Sequence, residues 1–350
     1  MRQYAILLYP AANRVYADSA LRLMRREVEV HNAAAFDGKL DSFAETEIGG
    51  VPYLTFSGAE LSRGDLDLLA NVSALYALFS VEGGSLRPIP LHRKDIFGSD
   101  LLTIQKYSGK TNEQFTKLLF NVTALAGENP RALLGNRLRV LDPLCGRGTT
   151  LNQALMYGFD GYGIEVNKHD FDEYAKFIKT WLRHNRLKHA ANTSTIRRNK
   201  VLLGRRLDIS LGVTKQQYAA GDAIRLGYLG ADTTKTAELF PRGWFDLVVT
   251  DAPYGVQHGS RSDGALARSP LPLLERALGG WHTVLRTGGA LGISWNTQVC
   301  AREDLARLLS GAGFEVQDSP AHRDFVHRVD QAIVRDLIVA RKPPPSAATP

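Results

Sequence analysis

Between residues 138 and 340, short apolar runs that suit strands alternate with longer segments whose apolar residues recur at helical spacing. Runs at 138–141, 161–165, 245–250 and 290–295 read as strands. Helices are expected from Thr149, from Phe171, over 271–285 and from Arg302. This alternation leaves little choice of architecture. Each crossover must bring the chain back to a parallel neighbour, which predicts a doubly wound, mostly parallel α/β sheet with helices on both faces. A last pair of strands, near 314–317 and 332–340, suits an antiparallel edge.

Ahead of this stretch, residues 1–95 predict a small α/β domain. Strands are expected at 4–8 and 51–56 and helices at 19–28 and 66–79, with Gly83, Gly84, Pro88 and Pro90 closing the unit. Residues 96–342 form the second domain, with a basic insertion at about 179–235, and 343–350 read as a disordered tail. Thr111 to Gln114 fits a capping box for a helix carrying Phe115, Leu118, Leu119, Val122 and Leu125. The length of 350 residues suits two domains with real cores. No apolar run approaches the roughly 20 residues of a membrane span. The run from Tyr4 to Tyr9 is too short for a signal peptide and ends at Pro10, so it reads as a first strand. Two cysteines, Cys145 and Cys300, fit a reducing cytoplasm, and no His/Cys spacing suggests a metal.

Net charge is +7, unevenly placed. Residues 1–100 hold 10 Lys/Arg and 13 Asp/Glu, the remainder 33 and 23. Arg183, Arg186, Arg197, Arg198 and Lys200 crowd the insertion. They read either as a solvated face or as a strip that contacts the phosphates of a nucleic acid.

Two motifs carry chemistry. The first runs from Val140 through Asp142, Pro143, Leu144, Cys145, Gly146, Arg147 and Gly148 to Thr149: a strand, a glycine turn and a helix start. Its glycines let a ligand press against backbone. Glu165, with Val166 beside it, ends the next strand, where an acid can accept both hydroxyls of a ribose. A nicotinamide cofactor competes for this pattern, but the phosphate fingerprint is incomplete and Asp142 would repel a pyrophosphate. An acid there suits the amino group of S-adenosylmethionine. Gly109-Lys110-Thr111 lacks the spaced first glycine of a nucleotide-triphosphate loop. Asp222, followed by Ala223, is either a turn acid or an acceptor for an adenine amino group.

The second motif is Thr250-Asp251-Ala252-Pro253-Tyr254-Gly255, directly after a strand. The Asp251 carboxylate and the Ala252 carbonyl can each accept one N–H of an exocyclic amine. Pro253 fixes φ, and Tyr254 offers a ring on which a base can stack.

Together these residues resemble the class I S-adenosylmethionine-dependent methyltransferases that act on exocyclic amines. The order of motifs and the Asp-x-Pro-Tyr-Gly form are similar to the tRNA guanine-N2 methyltransferases, which are associated with THUMP domains; Ala252 replaces a proline of that motif. The resemblance covers about residues 105–340. It implies a seven-stranded Rossmann-like sheet and S-adenosyl-L-methionine held by Asp142, Pro143, Cys145, Gly146, Gly148, Thr149, Glu165, Val166, Asp222 and Ala223. It also implies catalysis by Asp251, Ala252, Pro253 and Tyr254, and a tRNA partner. Adenine N6 in DNA or RNA and a protein glutamine amide share this chemistry as alternative acceptors. A non-catalytic RNA-binding module is the reading from another class. The segment from His327 to Gln331 reads as a polar hairpin tip or as a substrate-side contact, and Trp295 as core or cofactor lid.

Overall fold

The computed structural model describes residues 1–10, 14–135, 137–198, 200–253, 261–262, 265–266 and 269–345. Tyr254, Gly255 and the last five residues of the expected tail lie outside the described residues.

The chain opens with β1 (Arg2–Leu8), α1 (Arg14–Ala35), β2 (Leu40–Ile48), β3 (Val51–Gly58), α2 (Arg63–Leu69), β4 (Leu75–Glu82) and β5 (Ser85–Ile89). The strands form one antiparallel sheet in the order β2-β3-β1-β4-β5. Helix α1 buries Tyr16, Ala20, Leu23, Met24, Glu27, Val28 and His31, a stripe three and four residues apart. The helix expected over 66–79 is corrected here. It stops at Leu69, capped at its start by Ser62. Leu75 to Glu82 then turns to an alternating burial pattern and pairs with β1.

Next come α3 (Asp100–Thr103), α4 (Glu113–Leu125), α5 (Ala132–Gly135), β6 (Arg139–Asp142), α6 (Thr149–Met156), β7 (Asp160–Glu165) and α7 (Lys168–His184). β8 (Lys188–Arg198) and β9 (Val201–Gly212) form a long hairpin, followed by α8 (Lys215–Ala219) and β10 (Ile224–Gly230). The remainder is α9 (Thr236–Leu239), β11 (Phe245–Asp251), β12 (Arg261–Ser262), β13 (Ala265–Leu266), α10 (Leu271–Val284), β14 (Leu285–Asn296), α11 (Arg302–Gly311), β15 (Glu315–Gln317), β16 (His327–Arg328) and β17 (Val334–Arg341).

Their main sheet has ten strands, in the order β15-β17-β14-β11-β6-β7-β10-β9-β8, with β16 paired to β17. The expected seven-stranded, mostly parallel sheet is corrected to a mixed one. Five central strands, β14-β11-β6-β7-β10, are parallel, and both flanks are antiparallel. The extra width comes from the region expected as an insertion. It contains the end of α7, the β8–β9 hairpin and β10, whose Ile224, Leu226, Tyr228 and Leu229 are buried on the sheet.

Side chains alternate between the two faces. Leu337 and Val339 of β17 join the cluster that includes α1 and α4, while Ile338 and Ala340 join the cluster under α10 and α11. The first cluster also holds Tyr4, Ile6 and Leu54 of the N-terminal sheet, so α1 and α4 pack over one core. Buried Glu27 adds polar links. It accepts from the backbone and hydroxyl of Ser73 and from Asn121 Nδ2 (2.7 Å), and Asn121 Oδ1 accepts from Tyr157 Oη (2.8 Å). Burial holds the Glu27 carboxyl above its ordinary range.

Candidate functional site

In the central sheet, β6, β7 and β10 succeed one another in one direction, and β11 and β14 in the other. The order reverses between β6 and β11. In open α/β sheets this reversal leaves a crevice beyond the carboxyl ends of the strands. Asp142 ends β6 and Asp251 ends β11, so the two motifs meet there although 108 residues separate Asp142 from Thr250. Thr250 Oγ1 donates to Asp142 Oδ1 at 2.7 Å and joins them directly.

Asp142 is buried and organises the glycine turn. It also accepts from Leu144 N (3.1 Å) and from the Thr150 hydroxyl. Burial raises its carboxyl to about 6. Cys145 N and Sγ both donate to Ile164 O, at 3.0 and 3.3 Å. This contact requires Gly163, where a Cβ would lie 2.5 Å from the sulfur. Burial pushes the Cys145 thiol up, so it is a packing residue and not a nucleophile. Gly146 and Gly148 adopt φ of +49° and +78°. A Cβ on Gly146 would meet nothing within 4 Å, whereas one on Gly148 would strike the Tyr174 ring at 2.4 Å. Tyr228 Oη secures the turn by donating to Gly146 O at 2.7 Å. The Thr149 hydroxyl lies 3.3 Å from Tyr107 Oη, and Arg147 lies over the Tyr107 ring while pairing with Asp170 at 2.7 Å.

Glu165 sits at the end of β7. Its carboxylate accepts from Asn167 N (2.6 Å) and from the Gly146 backbone, and burial raises it to about 7. Val166 beside it is 76% exposed, an apolar surface open beside the acid. The raised carboxyl has a consequence for stability. The folded protein keeps this proton up to about pH 7, whereas the unfolded chain releases it near 4.5. The native state therefore binds more protons in that window, and stability falls as pH rises through it, then levels off. Glu165→Gln should flatten this decline, measured as urea midpoints at pH 5 and pH 8. An equal decline in the variant would assign it elsewhere.

The expected placement of Asp222 and Ala223 is corrected. They precede β10, at the amino end of the parallel strands and across the sheet from Gly146 and Glu165. Asp222 pairs there with Arg137 (2.7 Å). The acid at the carboxyl end of β10 is Asp232, which caps the turn at Thr233–Lys235 through Thr234 N (2.9 Å). It follows Ala231, whose N–H donates to Glu165 O. The pattern Gly-Asp-Ala at 221–223 drew attention to the wrong end because β10 begins one residue later; an acid just after the apolar run was the better signal.

Asp251 is held on both carboxylate oxygens. Oδ2 accepts from Thr111 Oγ1 (2.6 Å) and pairs with Arg335 (3.3 Å), and Oδ1 accepts from Ser294 Oγ. Arg335 is 3% exposed, with its guanidinium 4.7 Å from the Phe115 ring centre. His327 packs on the same ring at 4.8 Å; it is buried, and its pKa is lowered by burial to about 4. Thr111, Ser294 and Arg335 escape a reading of the sequence. The one signal was Arg335-Asp336 inside an apolar final strand. Thr111 does not cap α4 as expected. Asn112 does so through Phe115 N, and this leaves the Thr111 hydroxyl for Asp251. Ala252 is buried and its N–H donates to Ser294 O at 2.8 Å. Pro253 follows it, partly exposed. Trp295 is core, with Nε1 donating to Cys300 O.

The carboxylates of Asp142, Glu165, Asp170 and Asp251 sit close enough to influence one another. The guanidinium groups among them, Arg147 and Arg335, are each paired with an acid. The crevice therefore favours cations and amine donors and disfavours phosphate. Arg183, Arg186, Arg197, Arg198 and Lys200 are all exposed, at or just after the end of α7 and on the β8–β9 hairpin. Among the described residues no cluster of His, Cys, Asp and Glu could hold a metal, and no helix is long and apolar enough to cross a membrane.

No protein-family model and no curated protein matches the chain. Solved structures similar to it include a TehB-like SAM-dependent methyltransferase from Corynebacterium glutamicum, 14% identical over 60% of this chain and 83% of that one, with a TM-score of 0.34. The 1,6-didemethyltoxoflavin-N1-methyltransferase of Burkholderia thailandensis is 17% identical over 61% and 74%, TM-score 0.35. The PH0226 protein of Pyrococcus horikoshii is 12% identical over 70% and 96%, TM-score 0.39. At such scores the likeness carries no argument about this chain, whose case rests on its own residues.

Proposed function

We propose that this protein is an S-adenosylmethionine-dependent methyltransferase that modifies an exocyclic amino group of a nucleic-acid base, guanine N2 of tRNA being the first substrate to test. The observation that carries this reading is the junction of the two motifs at the reversal of strand order, fixed by the hydrogen bond from Thr250 to Asp142.

The residues present fit S-adenosylmethionine. Open space faces the Cα of Gly146, where a Cβ would meet nothing. Glu165 supplies the acceptor for a ribose, Val166 an exposed apolar wall and Asp232 an acceptor for an amino group, all at neighbouring strand ends. The surplus of acids suits a sulfonium and an ammonium and opposes the pyrophosphate of a nicotinamide cofactor. When bound, S-adenosylmethionine provides an electrophilic methyl group.

The chain's own part is positioning and electrostatics. Asp251, anchored by Thr111, Ser294 and Arg335, is a fixed acceptor for one N–H of the amine. The Ala252 carbonyl accepts the other. Both draw the amino group out of conjugation with its ring and face the positive charge that develops on nitrogen. Holding nitrogen in line with the methyl group supplies much of the remaining acceleration. As Asp251 is already ion-paired, we assign the departing proton to water. The base must leave its stack to reach these groups.

Incubation with unmodified tRNA and isotopically labelled S-adenosylmethionine, followed by nucleoside mass spectrometry, tests the reading. Labelled N2-methylguanosine is expected. Labelled N6-methyladenosine would replace guanine by adenine. Absence of label from tRNA, other RNA and DNA, with cofactor binding confirmed, would overturn the nucleic-acid assignment.

A further inference from the structure

We infer that the tip of the β8–β9 hairpin is a phosphate-binding arm that holds the backbone of a single-stranded nucleic acid at the rim of the crevice. This inference rests on the reading of the site given above and names the surface that would deliver its substrate.

Strand polarity places the tip. β9 is antiparallel to β10, and Arg205 is the partner of Gly230, the last residue of β10. Gly204 lies against Gly230 and Ala231, and residues 201–203 run on past the carboxyl ends of the parallel strands, by about 10 Å at the usual rise per residue. This is the side of the sheet on which Glu165, Asp232 and Asp251 lie. Four strand spacings separate β9 from β11, about 19 Å across the sheet. A register shift between Ile196 and Arg197 interrupts the ladder at the point where the hairpin leaves the sheet. Such an irregularity bends and twists a hairpin.

Charge on the hairpin is graded. Near its base, Arg205 pairs with Asp172 (3.0 Å) and Arg206 with Asp208 (2.7 Å). At the tip, Arg197, Arg198 and Lys200 are exposed, and among the described residues none has a carboxylate within ion-pair distance. Val201 and Leu202 next to them are 58% and 57% exposed. Three cations with no carboxylate partner among the described residues thus stand beside bare apolar side chains.

The crevice explains why they stand there. Its acids repel phosphate, so a nucleic acid that inserts a base must keep its backbone outside, at the rim. The tip supplies compensating charge on that rim. A single strand suits the geometry because its base is already free to enter.

The test compares the full protein with a variant carrying Arg197→Glu, Arg198→Glu and Lys200→Glu together. Arg225→Glu, an exposed change at the amino end of β10, is the control for a charge reversal away from the tip. The probe is a fluorescently labelled mixed-sequence single-stranded RNA, followed by anisotropy over a salt series. Three lost phosphate contacts should reduce the slope of log affinity against log salt by about 2 and weaken binding at least about tenfold at low salt. KM for the RNA should rise while kcat holds, and S-adenosylhomocysteine should bind as before. Unchanged affinity and slope in the triple variant, or no RNA binding by the parent protein, would overturn the arm. Loss of binding in the variant of a parent protein that transfers no methyl group would uphold the arm and refute the reading of the site. Methylation of RNA with equal KM in parent and variant would do the reverse.

Discussion

Replacing Asp251 with alanine is expected to destabilise the protein by roughly 3–5 kcal/mol as well as to abolish methyl transfer, because it removes the carboxylate that pairs with the buried Arg335. Loss of activity in that variant would therefore say little about chemistry. Asp251→Asn is the sharper experiment. It keeps the shape and an acceptor for Thr111 or Ser294 but removes the charge. We expect transfer to fall by at least about a hundredfold, the scale of losing one transition-state electrostatic partner, with S-adenosylhomocysteine still bound. Adding Arg335→Met to Asp251→Ala should recover part of the lost stability, since removing both members of a buried ion pair costs less than removing one. Urea denaturation of the two single variants and the double variant gives the coupling, and labelled transfer gives the rate. An Asp251→Asn protein with parental turnover would remove Asp251 from the chemistry.

The glycine turn carries the second large effect. Gly148→Ala puts a methyl group 2.4 Å from the Tyr174 ring at a φ of +78°. That ring cannot retreat. It is fully buried, packs edge-on against Tyr228 at 4.8 Å, and donates its hydroxyl to Asn152 at 2.9 Å. The left-handed conformation alone costs about 1–2 kcal/mol for an L-residue, and the clash adds to it. Gly148→Ala should lower the melting temperature and abolish cofactor binding together. Gly146→Ala should behave differently. Its Cβ meets no protein atom, so stability falls only by the backbone strain while cofactor affinity collapses. Calorimetric titration with S-adenosylhomocysteine, alongside thermal melts, separates the two. Parental affinity in Gly146→Ala would move the cofactor away from this turn.

What could be read from the residues follows from which interactions are local. The period of the apolar residues gives β6, β7, β11, β14 and their helices, because burial against a sheet is written into each segment. The glycine turn and Glu165 stand out because a turn and a strand end are local events. β10 is hidden in the basic region, because its short apolar run is broken by Gly227 and follows a polar hairpin, so Asp232 does not stand out in the sequence as the acid at its end. The helix expected over 66–79 failed for a related reason. Leu75 and Leu78 are spaced as on a helix and Leu78 and Ser80 as on a strand, and pairing with β1, some 70 residues earlier in the chain, decides. Thr111, Ser294 and Arg335 are invisible without the fold, since only the sheet brings them to one carboxylate.

The 84 residues between Asp251 and Arg335 also set a timetable. A ribosome adding about 5–20 residues per second needs roughly 4–17 s to cover that interval. Throughout it the acid at the end of β11 has been synthesised while the guanidinium that balances it has not. β17, which carries Arg335, fits between β14 and β15, so its arrival extends the sheet and pairs the Asp251 carboxylate in a single event. Until β17 is in place the end of β11 lacks both the strand beside β14 and the cation that pairs with Asp251, so competence for catalysis waits on that one strand.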